Sequence, residues 1–392
     1  MSYSYVVLGA GRQGAAACYD LVRHGEARHV LLADRDQHSA QRSAERVNGL
    51  LKTTTVEPAV IDVTDPGAVE GLIAGADAAL SAVPYFYNLG ITQAAIRAGV
   101  SVCDLGGNTH IARQQHGLNA GARAANISVI PNCGQVPGMG TSLMVHAMEQ
   151  LDEPIDVYMW DGGIPRDPRP PFNYLLTFNI EGLTNEYAEP AIFLRDGKVT
   201  KVEPMTELET VDFPEPIGTL EAFVAGGGTD TMPWTYEGRL RTIQNLTLRH
   251  PGSLSQLRAF YDLGLWDLTP VDVRGSQIVP RDMFHALFAP KVTFHDDKDT
   301  VIVRVVALGK KGGREARALV QVIDHFDEET GFTAMERCTG WSGAIVTAMM
   351  ARKRTRIGAG GVESQVPAGE FVGELGKRGI RVVEEVTYGG TT

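Results

Sequence analysis

Glycines with the spacing of a dinucleotide-binding loop stand near the start of the chain. The apolar run Tyr3–Leu8 leads into Gly9, Gly11 and Gly14, which form the pattern G-x-G-x-x-G. This loop is predicted to end a strand and begin a helix, so the free N–H groups of the first helical turn would face a pyrophosphate. The alternative is a glycine-rich turn that binds nothing. The loop residues predicted to bind the cofactor are Gly9, Gly11, Arg12, Gln13 and Gly14.

An acidic residue after the second predicted strand indicates which nicotinamide nucleotide the loop binds. Asp34 lies about 20 residues beyond Gly14, the usual distance of the acid that binds the adenosine ribose. Its carboxylate would accept hydrogen bonds from the ribose hydroxyls and repel a 2′-phosphate. We therefore predict NAD, with NADP less favoured. Arg35 favours NADP instead, because a guanidinium next to the ribose can bind the 2′-phosphate.

Two further loops follow predicted strands at the edge of the sheet where nucleotides bind. Asp62 either approaches the adenine or caps a helix together with Thr64 and Asp65. The small residues after the fourth strand would border the nicotinamide ribose, and Tyr85 beyond them either contacts the substrate or packs. The residues predicted to bind the cofactor here are Asp62, Val63, Ser81, Ala82, Val83 and Pro84.

Length, charge and cysteine content limit the class of protein. With 392 residues, 43% of them hydrophobic, the chain can fill two domain cores. Its net charge of −11 argues against a nucleic-acid partner. No apolar stretch has the length of a membrane span and the start leads directly into a strand, so we predict a cytoplasmic protein with no membrane partner. The scattered cysteines predict reduced thiols and no metal site: Cys18, Cys103, Cys133 and Cys338.

Strand and helix signals alternate at short spacing through residues 1–137, which predicts a doubly wound parallel Rossmann domain of the α/β class with six strands. One helix is expected at 111–124. Residues 336–392 return to helix and parallel-strand character, including a short strand at 380–383, and are expected to complete this domain.

The middle of the chain has a different pattern. Residues 138–335 contain longer β-rich runs with Gly and Pro turns, including the hairpin signal Asp196-Gly197 and the pair 301–308 and 316–323. We predict an α+β domain with an antiparallel sheet, which binds the substrate and forms the oligomer interface.

The segment from Pro131 to Gly140 connects the two predicted domains. It follows the sixth strand, so it is expected to lie at the crevice between them, where its glycines let the backbone approach a ligand. The alternative is a hinge with no ligand contact.

Motifs along nearly the whole chain resemble the saccharopine dehydrogenase-related superfamily, and within it lysine 6-dehydrogenases most. Saccharopine reductases typically have an acidic residue before the Pro-Gly of the hinge loop, where this chain has Val136. The segments that carry the resemblance are the glycine loop, 81–85, Cys133-Gly134, Pro137-Gly138, 161–165, 186–191, 220–223 and 247–252.

The resemblance implies oxidative deamination of the terminal amine of a basic amino acid, first of all L-lysine, to its semialdehyde. An alternative is a saccharopine- or carboxynorspermidine-type NAD(P)-dependent reductase. A second alternative is a protein that binds NAD without turnover. The resemblance also implies a homodimer or higher homo-oligomer built through the second sheet.

The implied reaction needs a general base and a residue that binds the substrate carboxylate. The amine must be neutral to lose hydride, yet its free pKa is about 10.4. Asp104 is a candidate base, with a helix or turn cap as the alternative, and Asn132 and Cys133 are candidates for orienting the amine or water. Arg249 either binds the substrate carboxylate or forms a structural ion pair. His250 and Tyr174 are further candidates for the substrate pocket.

Overall fold

Strands and helices alternate from the start of the chain in the computed structural model, which describes residues 2–294, 296 and 298–389. The strands are β1 Tyr3–Leu8, β2 Ala27–Asp34, β3 Val56–Val60, β4 Ala78–Ser81, β5 Val102–Asp104, β6 Ser128–Ile130, β7 Glu153–Pro165, β8 Ala191–Arg195, β9 Lys198–Val202, β10 Glu209–Asp212, β11 Thr219–Val224, β12 Thr242–Arg249, β13 Val271–Val273, β14 Ser276–Ile278, β15 Asp299–Lys311, β16 Arg314–His325, β17 Gly358–Ala359 and β18 Val382–Tyr388.

The helices cover the faces and ends of these strands. They are α1 Arg12–His24, α2 Gln37–Leu51, α3 Pro66–Ile73, α4 Asn88–Ala98, α5 Thr109–His116, α6 Asn119–Ala124, α7 Met139–Glu149, α8 Ile180–Ala188, α9 Met232–Thr235, α10 Ser253–Asp262, α11 Pro280–Phe288, α12 Ala334–Glu336, α13 Ser342–Ala351, α14 Val362–Gln365 and α15 Ala368–Lys377. No helix in the described ranges is long and apolar enough to cross a membrane.

The first sheet is parallel and has the order β17-β6-β5-β4-β1-β2-β3. β1 lies between β2 and β4, so the strand order reverses between β1 and β4, and the connections that follow these two strands lead to opposite sides of the sheet. That reversal opens a crevice at the carboxyl ends of the strands, where nucleotides bind in such sheets. The predicted Rossmann fold is confirmed, with β17 as a seventh strand. The helix expected at 111–124 is instead two short helices, α5 and α6, which Gly117 and Leu118 separate.

The second sheet contains the long hairpin β15–β16 and, beside β12, the hairpin β8–β9 around Asp196-Gly197, both of which were predicted. Its main order is β10-β11-β12-β7-β15-β16-β18. One pairing differs from the expected antiparallel pattern, because β12 runs parallel to β7. The sheet is therefore mixed. The chain between the end of β7 and the start of β12 is long enough to return to the same end of the sheet, which a parallel pair requires.

The last strand corrects the expectation for the tail. β17 joins the parallel sheet beside β6, but β18 pairs antiparallel with β16 in the second sheet. Val382 and Val386 pack on the core while the residues between them are exposed. A strand that buries one side only is typical of the edge of an antiparallel sheet, which explains the placement.

One apolar cluster joins the two domains. It contains residues from α1 and α13 of the first domain, from α7, and from the inner face of β7, β15 and β16. The strongly buried α7 begins directly after the Pro131–Gly140 segment. This shared core holds the carboxyl edge of the parallel sheet against the second sheet, and the candidate site lies where the two meet.

Candidate functional site

The glycine loop has room for a pyrophosphate at one of its three glycines. Gly9 has a φ of +101°, and a Cβ there would lie 2.7 Å from the carbonyl oxygen of Ala82. A Cβ on Gly14 would lie 1.8 Å from the carbonyl oxygen of Gly9. A Cβ on Gly11, in contrast, would meet no atom within 4 Å. Protein packing therefore requires Gly9 and Gly14, whereas the space above Gly11 is open to a ligand.

Asp34 is held at the edge of the glycine loop, where the sequence places the ribose acid. Its Oδ2 accepts a hydrogen bond from the Ala10 N–H at 2.8 Å, and its Oδ1 accepts one from the Asp36 N–H at 2.9 Å. The exposed Arg35 lies near Asp62. Both oxygens of Asp34 keep further lone pairs for ribose hydroxyls.

The loop after β3 follows the capping alternative. Asp62 Oδ1 accepts hydrogen bonds from the hydroxyl and the N–H of Thr64 at 2.7 and 2.9 Å, and these bonds hold the pKa of Asp62 below its usual range. Asp65 caps α3. Val63 packs against the apolar cluster beneath. An adenine contact by Asp62 stays a prediction.

The loop after β4 lies against the glycine loop. The carbonyl of Ala82 and the side chain of Val83 are the neighbours of Gly9. The buried Ser81 hydroxyl donates to Asn88 Oδ1 at 2.7 Å, which fixes the end of β4. After Pro84 a 3-10 turn begins with Tyr85, whose hydroxyl accepts a 3.4 Å hydrogen bond from Asn185 of the second domain. The structure thus places Tyr85 at the domain crevice.

Arg12 and Gln13 begin α1 beside the C-terminal segment. Arg12 Nε donates to Glu336 Oε1 at 2.8 Å, although half of the Arg12 side chain is exposed. The Gln13 amide is buried, and neither of its polar atoms has a hydrogen-bond partner in the described part of the chain. Both residues remain predicted cofactor contacts.

Asp104, at the end of β5, accepts hydrogen bonds from donors of three separate segments. Oδ1 accepts from the N–H groups of Gly106 and Asn132 at 2.9 and 3.0 Å, and Oδ2 accepts from the Gln115 amide at 2.8 Å. Burial raises the pKa of Asp104, and these three bonds oppose the rise. Three donors on a buried carboxylate favour the turn-cap alternative over proton transfer.

Asn132 and Cys133 are likewise held by the fold. Asn132 has a φ of +59°, and its amide donates to Asp230 Oδ1 at 2.7 Å across the domain junction. The buried Cys133 thiol donates to the Ile130 carbonyl at 3.3 Å, and burial raises the pKa of that thiol. A neutral thiol directed at the backbone is poorly placed to orient substrate or water.

Arg249 ends β12 as a buried cation between two aromatic rings. Its guanidinium carbon lies 5.7 Å from the ring centre of Tyr174 and 5.7 Å from that of Tyr187. One nitrogen donates to Glu186 at 3.1 Å and another to the Leu248 carbonyl at 2.8 Å. Nε has no partner in the ranges described. Arg249 therefore forms a structural ion pair with Glu186, and its Nε–H remains as a donor for a further acceptor.

His250 is occupied by a hydrogen bond to the backbone and is not placed to transfer a proton. Its Nε2 lies 3.1 Å from the Pro165 carbonyl oxygen, which accepts a hydrogen bond from the ring N–H. Burial lowers the pKa of His250, so the neutral ring is favoured. The structure therefore supports a packing role for His250, the commoner reason for a histidine beside an arginine.

Asp161 is a buried acid that the sequence analysis did not assign to the site. It lies on β7 opposite Thr247, and Asn245 and Arg249 share the face of β12 that carries Thr247. Oδ1 accepts from the Asn245 amide at 2.9 Å and Oδ2 from the Gln135 amide at 3.3 Å. Burial raises the pKa of Asp161 to about 7. The only sequence signal was an acid within the strand segment 161–165.

The site thus combines a nucleotide-binding loop with a buried charged cluster, which we call the Arg249 cluster and which consists of Asp161, Glu186 and Arg249. Gln135 of the Pro131–Gly140 segment connects this cluster to the end of β6. The arrangement defines a two-domain protein with a Rossmann-type dinucleotide-binding loop in the first domain and a buried charged cluster at the junction of the two domains.

Comparison with known proteins agrees with this class. Residues 5–130 match the family model described as the saccharopine dehydrogenase NADP binding domain. Residues 134–380 match the one described as the saccharopine dehydrogenase C-terminal domain. The chain belongs to the saccharopine dehydrogenase family.

Relatives include the NADP(+), L-glutamate-forming saccharopine dehydrogenase of Pyricularia oryzae, 25% identical over 231 residues that cover 57% of this chain and 50% of that protein. The Saccharomyces cerevisiae enzyme of the same name is 22% identical over 66% of this chain and 63% of its own length. The matches thus span about half to under two thirds of these relatives. A solved apo saccharopine dehydrogenase (L-Glu forming) from Saccharomyces cerevisiae shares the fold, with TM-score 0.77 and 19% identity over 98% of this chain and 100% of that one.

Proposed function

We propose that the protein is a nicotinamide-dependent oxidoreductase that removes the terminal amine of a basic amino acid, with L-lysine as the first candidate. The product would be the semialdehyde. Family membership and the dinucleotide-binding loop support the oxidoreductase class. The choice of a basic amino acid rests on the charges of the Arg249 cluster.

The cluster contains one cation and two carboxylates. Arg249 has an unpartnered Nε–H for an α-carboxylate, and its side chain is only 5% exposed. Glu186 and Asp161 surround it, and burial raises the pKa of both. A basic amino acid with one carboxylate and two amines complements this set. This complementarity is the observation that carries the proposal.

The second candidate is oxidation or formation of saccharopine, as the names of the curated relatives describe for those proteins. Such a substrate carries additional carboxylates, which need additional cations. Arg281 is buried near Tyr85 and donates to two neutral groups, the side-chain oxygen of Asn185 and the Trp266 carbonyl, so its charge is available to a second carboxylate. This cation is the observation that favours the second candidate.

The glycine loop fits a nicotinamide dinucleotide. Gly11 leaves open space, the first N–H groups of α1 face it, and Asp34 lies where the adenosine ribose is bound in such folds. A bound nucleotide would supply the hydride acceptor. We propose NAD as the preferred form, because the Asp34 carboxylate disfavours a 2′-phosphate. The relatives' names and the description of the family's nucleotide-binding domain favour NADP, so the test must include both.

A direct assay separates the candidates. The purified chain is mixed with NAD or NADP and, in separate reactions, lysine, ornithine, saccharopine or an amino acid without a terminal amine. We expect reduced nucleotide and ammonia with lysine. Glutamate formed from saccharopine would instead identify the second candidate, and nucleotide binding without any turnover would identify a non-catalytic protein.

Asp34→Ala is expected to weaken NAD binding by about 1.5–3 kcal/mol, because it removes charge-assisted hydrogen bonds to the ribose. NADP use should rise relative to NAD, since the repulsion of the 2′-phosphate disappears. Titration of both nucleotides by fluorescence measures the change, with Asp36→Ala, which alters only the cap of α2, as the control. Native protein that binds NADP more tightly than NAD would refute the assignment.

A further inference from the structure

We propose that Asp161 is the general base that takes a proton from the substrate's terminal ammonium, and that Gln135 and Asn245 are the residues that position its carboxylate. The inference rests on the proposed amine oxidation. It assigns a catalytic role to a residue outside the loops that follow the parallel strands.

The position of Asp161 carries the argument. It lies on the shared face of β7 and β12, with Arg249 two residues beyond its cross-strand neighbour Thr247. On its other side, Gln135 belongs to the segment that follows β6 of the parallel sheet. Asp161 therefore stands between the carboxylate-binding arginine and the nucleotide-binding edge. An amino acid whose carboxylate is bound by Arg249 would extend its side chain past Asp161 in the proposed arrangement.

Buried polar atoms without hydrogen-bond partners lie near Asp161 on β7. Asn245 donates to Asp161 with Nδ2, but its Oδ1 is buried and unpartnered. The Thr177 hydroxyl is buried and unpartnered, and lies 3.7 Å from where a Cβ on Gly163 would be. The absence of partners for these two oxygens refers to the residues that the structure describes. Together with Arg249 Nε, these oxygens are free to bond a polar ligand.

The surroundings tune Asp161 for proton transfer near neutral pH. Burial and the neighbouring Glu186 raise the pKa of Asp161, whereas the Asn245 and Gln135 amides and Arg249 lower it, with a result of about 7. The base must be ionised to act, so activity falls as the pH drops through this value. Above about 7 the activity levels off, well below the pKa of about 10.4 of the free amine.

The step is a simple proton transfer. One N–H bond of the ammonium breaks and an O–H bond forms on Asp161, which becomes a neutral carboxylic acid. The electron pair left on nitrogen forms the C=N bond as the adjacent carbon loses hydride to an oxidised nicotinamide nucleotide. The iminium product then reacts with water to give aldehyde and ammonium.

Asp161→Asn keeps the size of the side chain and one of its two acceptor oxygens but removes the base. We expect kcat/KM at neutral pH to fall by about 10²–10⁴-fold, with NADH affinity unchanged and the acidic limb of the pH profile lost. Asp104→Asn is the comparison variant, for which we expect lower thermal stability and a retained acidic limb. Loss of that limb in Asp104→Asn but not in Asp161→Asn would overturn the proposal.

Two further variants exclude a merely structural effect. In Asp161→Ala, added formate should restore turnover at least about tenfold, because a free carboxylate can occupy the vacated place. In Gln135→Met, loss of one donor to the carboxylate should move the acidic limb to higher pH. No rescue and an unmoved limb would overturn the proposal.

The measurements use whichever amine the native chain oxidises. If that amine is saccharopine rather than lysine, the proposed substrate is wrong while Asp161 is still tested, because a secondary amine must also lose its proton. If the native chain binds nucleotide but oxidises no amine, both proposals fail.

Discussion

Arg249→Lys is expected to raise the KM for the amino-acid substrate about 100-fold, the equivalent of about 2.7 kcal/mol, with NADH affinity unchanged. Lysine keeps the positive charge but loses the planar guanidinium, whose Nε–H is unpartnered among the described residues and can donate to the substrate carboxylate while the other two nitrogens hold their protein partners. It also has no donor that can reach Glu186 and the Leu248 carbonyl while facing the substrate. Steady-state kinetics with fluorescence titration of NADH measure both quantities.

The matched control is Arg258→Lys, an exposed arginine on α10 that pairs with Asp262. It should leave KM unchanged, since exposed ion pairs contribute little and Arg258 does not face the Arg249 cluster. Thermal unfolding of both variants checks that the fold persists. A normal KM for Arg249→Lys would remove Arg249 from the substrate site and leave only its structural ion pair with Glu186.

Gly11→Ala is expected to weaken NADH binding more than tenfold, or by more than about 1.4 kcal/mol, without lowering the midpoint of thermal unfolding. The new methyl group would meet no protein atom within 4 Å, and the φ of −71° at Gly11 suits alanine. The methyl would occupy the space that a pyrophosphate needs in order to approach the backbone. Calorimetric titration and a thermal melt of the same sample test the two parts together.

Gly14→Ala is the contrasting variant. Its Cβ would lie 1.8 Å from the carbonyl oxygen of Gly9, so α1 would have to move away from β1. We expect this variant to lose stability as well as nucleotide binding. Normal NADH affinity in Gly11→Ala would show that no ligand occupies the space above the loop, and the dinucleotide site would then have to lie elsewhere.

The parallel sheet could be predicted from local sequence because each of its units is short and self-contained. A strand, the glycine loop, a helix and Asp34 follow one another within the first 34 residues, and Gly14 packs against Gly9 of the same loop. The β8–β9 hairpin was predictable for the same reason, since Asp196 and Gly197 both adopt positive φ within two residues.

The pairing of strands that are far apart in the sequence could not be predicted from local sequence. β12 lies parallel to β7, and β18 lies on the edge of the second sheet rather than in the first. Periodicity shows that a segment is a strand with one buried side, but not which partner covers it. The partner is decided by how the complete set of apolar faces can be buried together.

The roles of the acids show the same division at the site. The sequence by itself determined the dinucleotide loop, Asp34 and Arg249 as candidates, because residue type and local order suffice for these. Only the tertiary structure brought the donors Gln115 and Asn132 to Asp104 and placed Asp161 beside Gln135, Asn245 and Arg249. The ability of a carboxylate to transfer a proton depends on its burial and on the donors and charges around it. The neighbours of Asp161 come from the Pro131–Gly140 segment, α8 and β12, which only folding brings to β7.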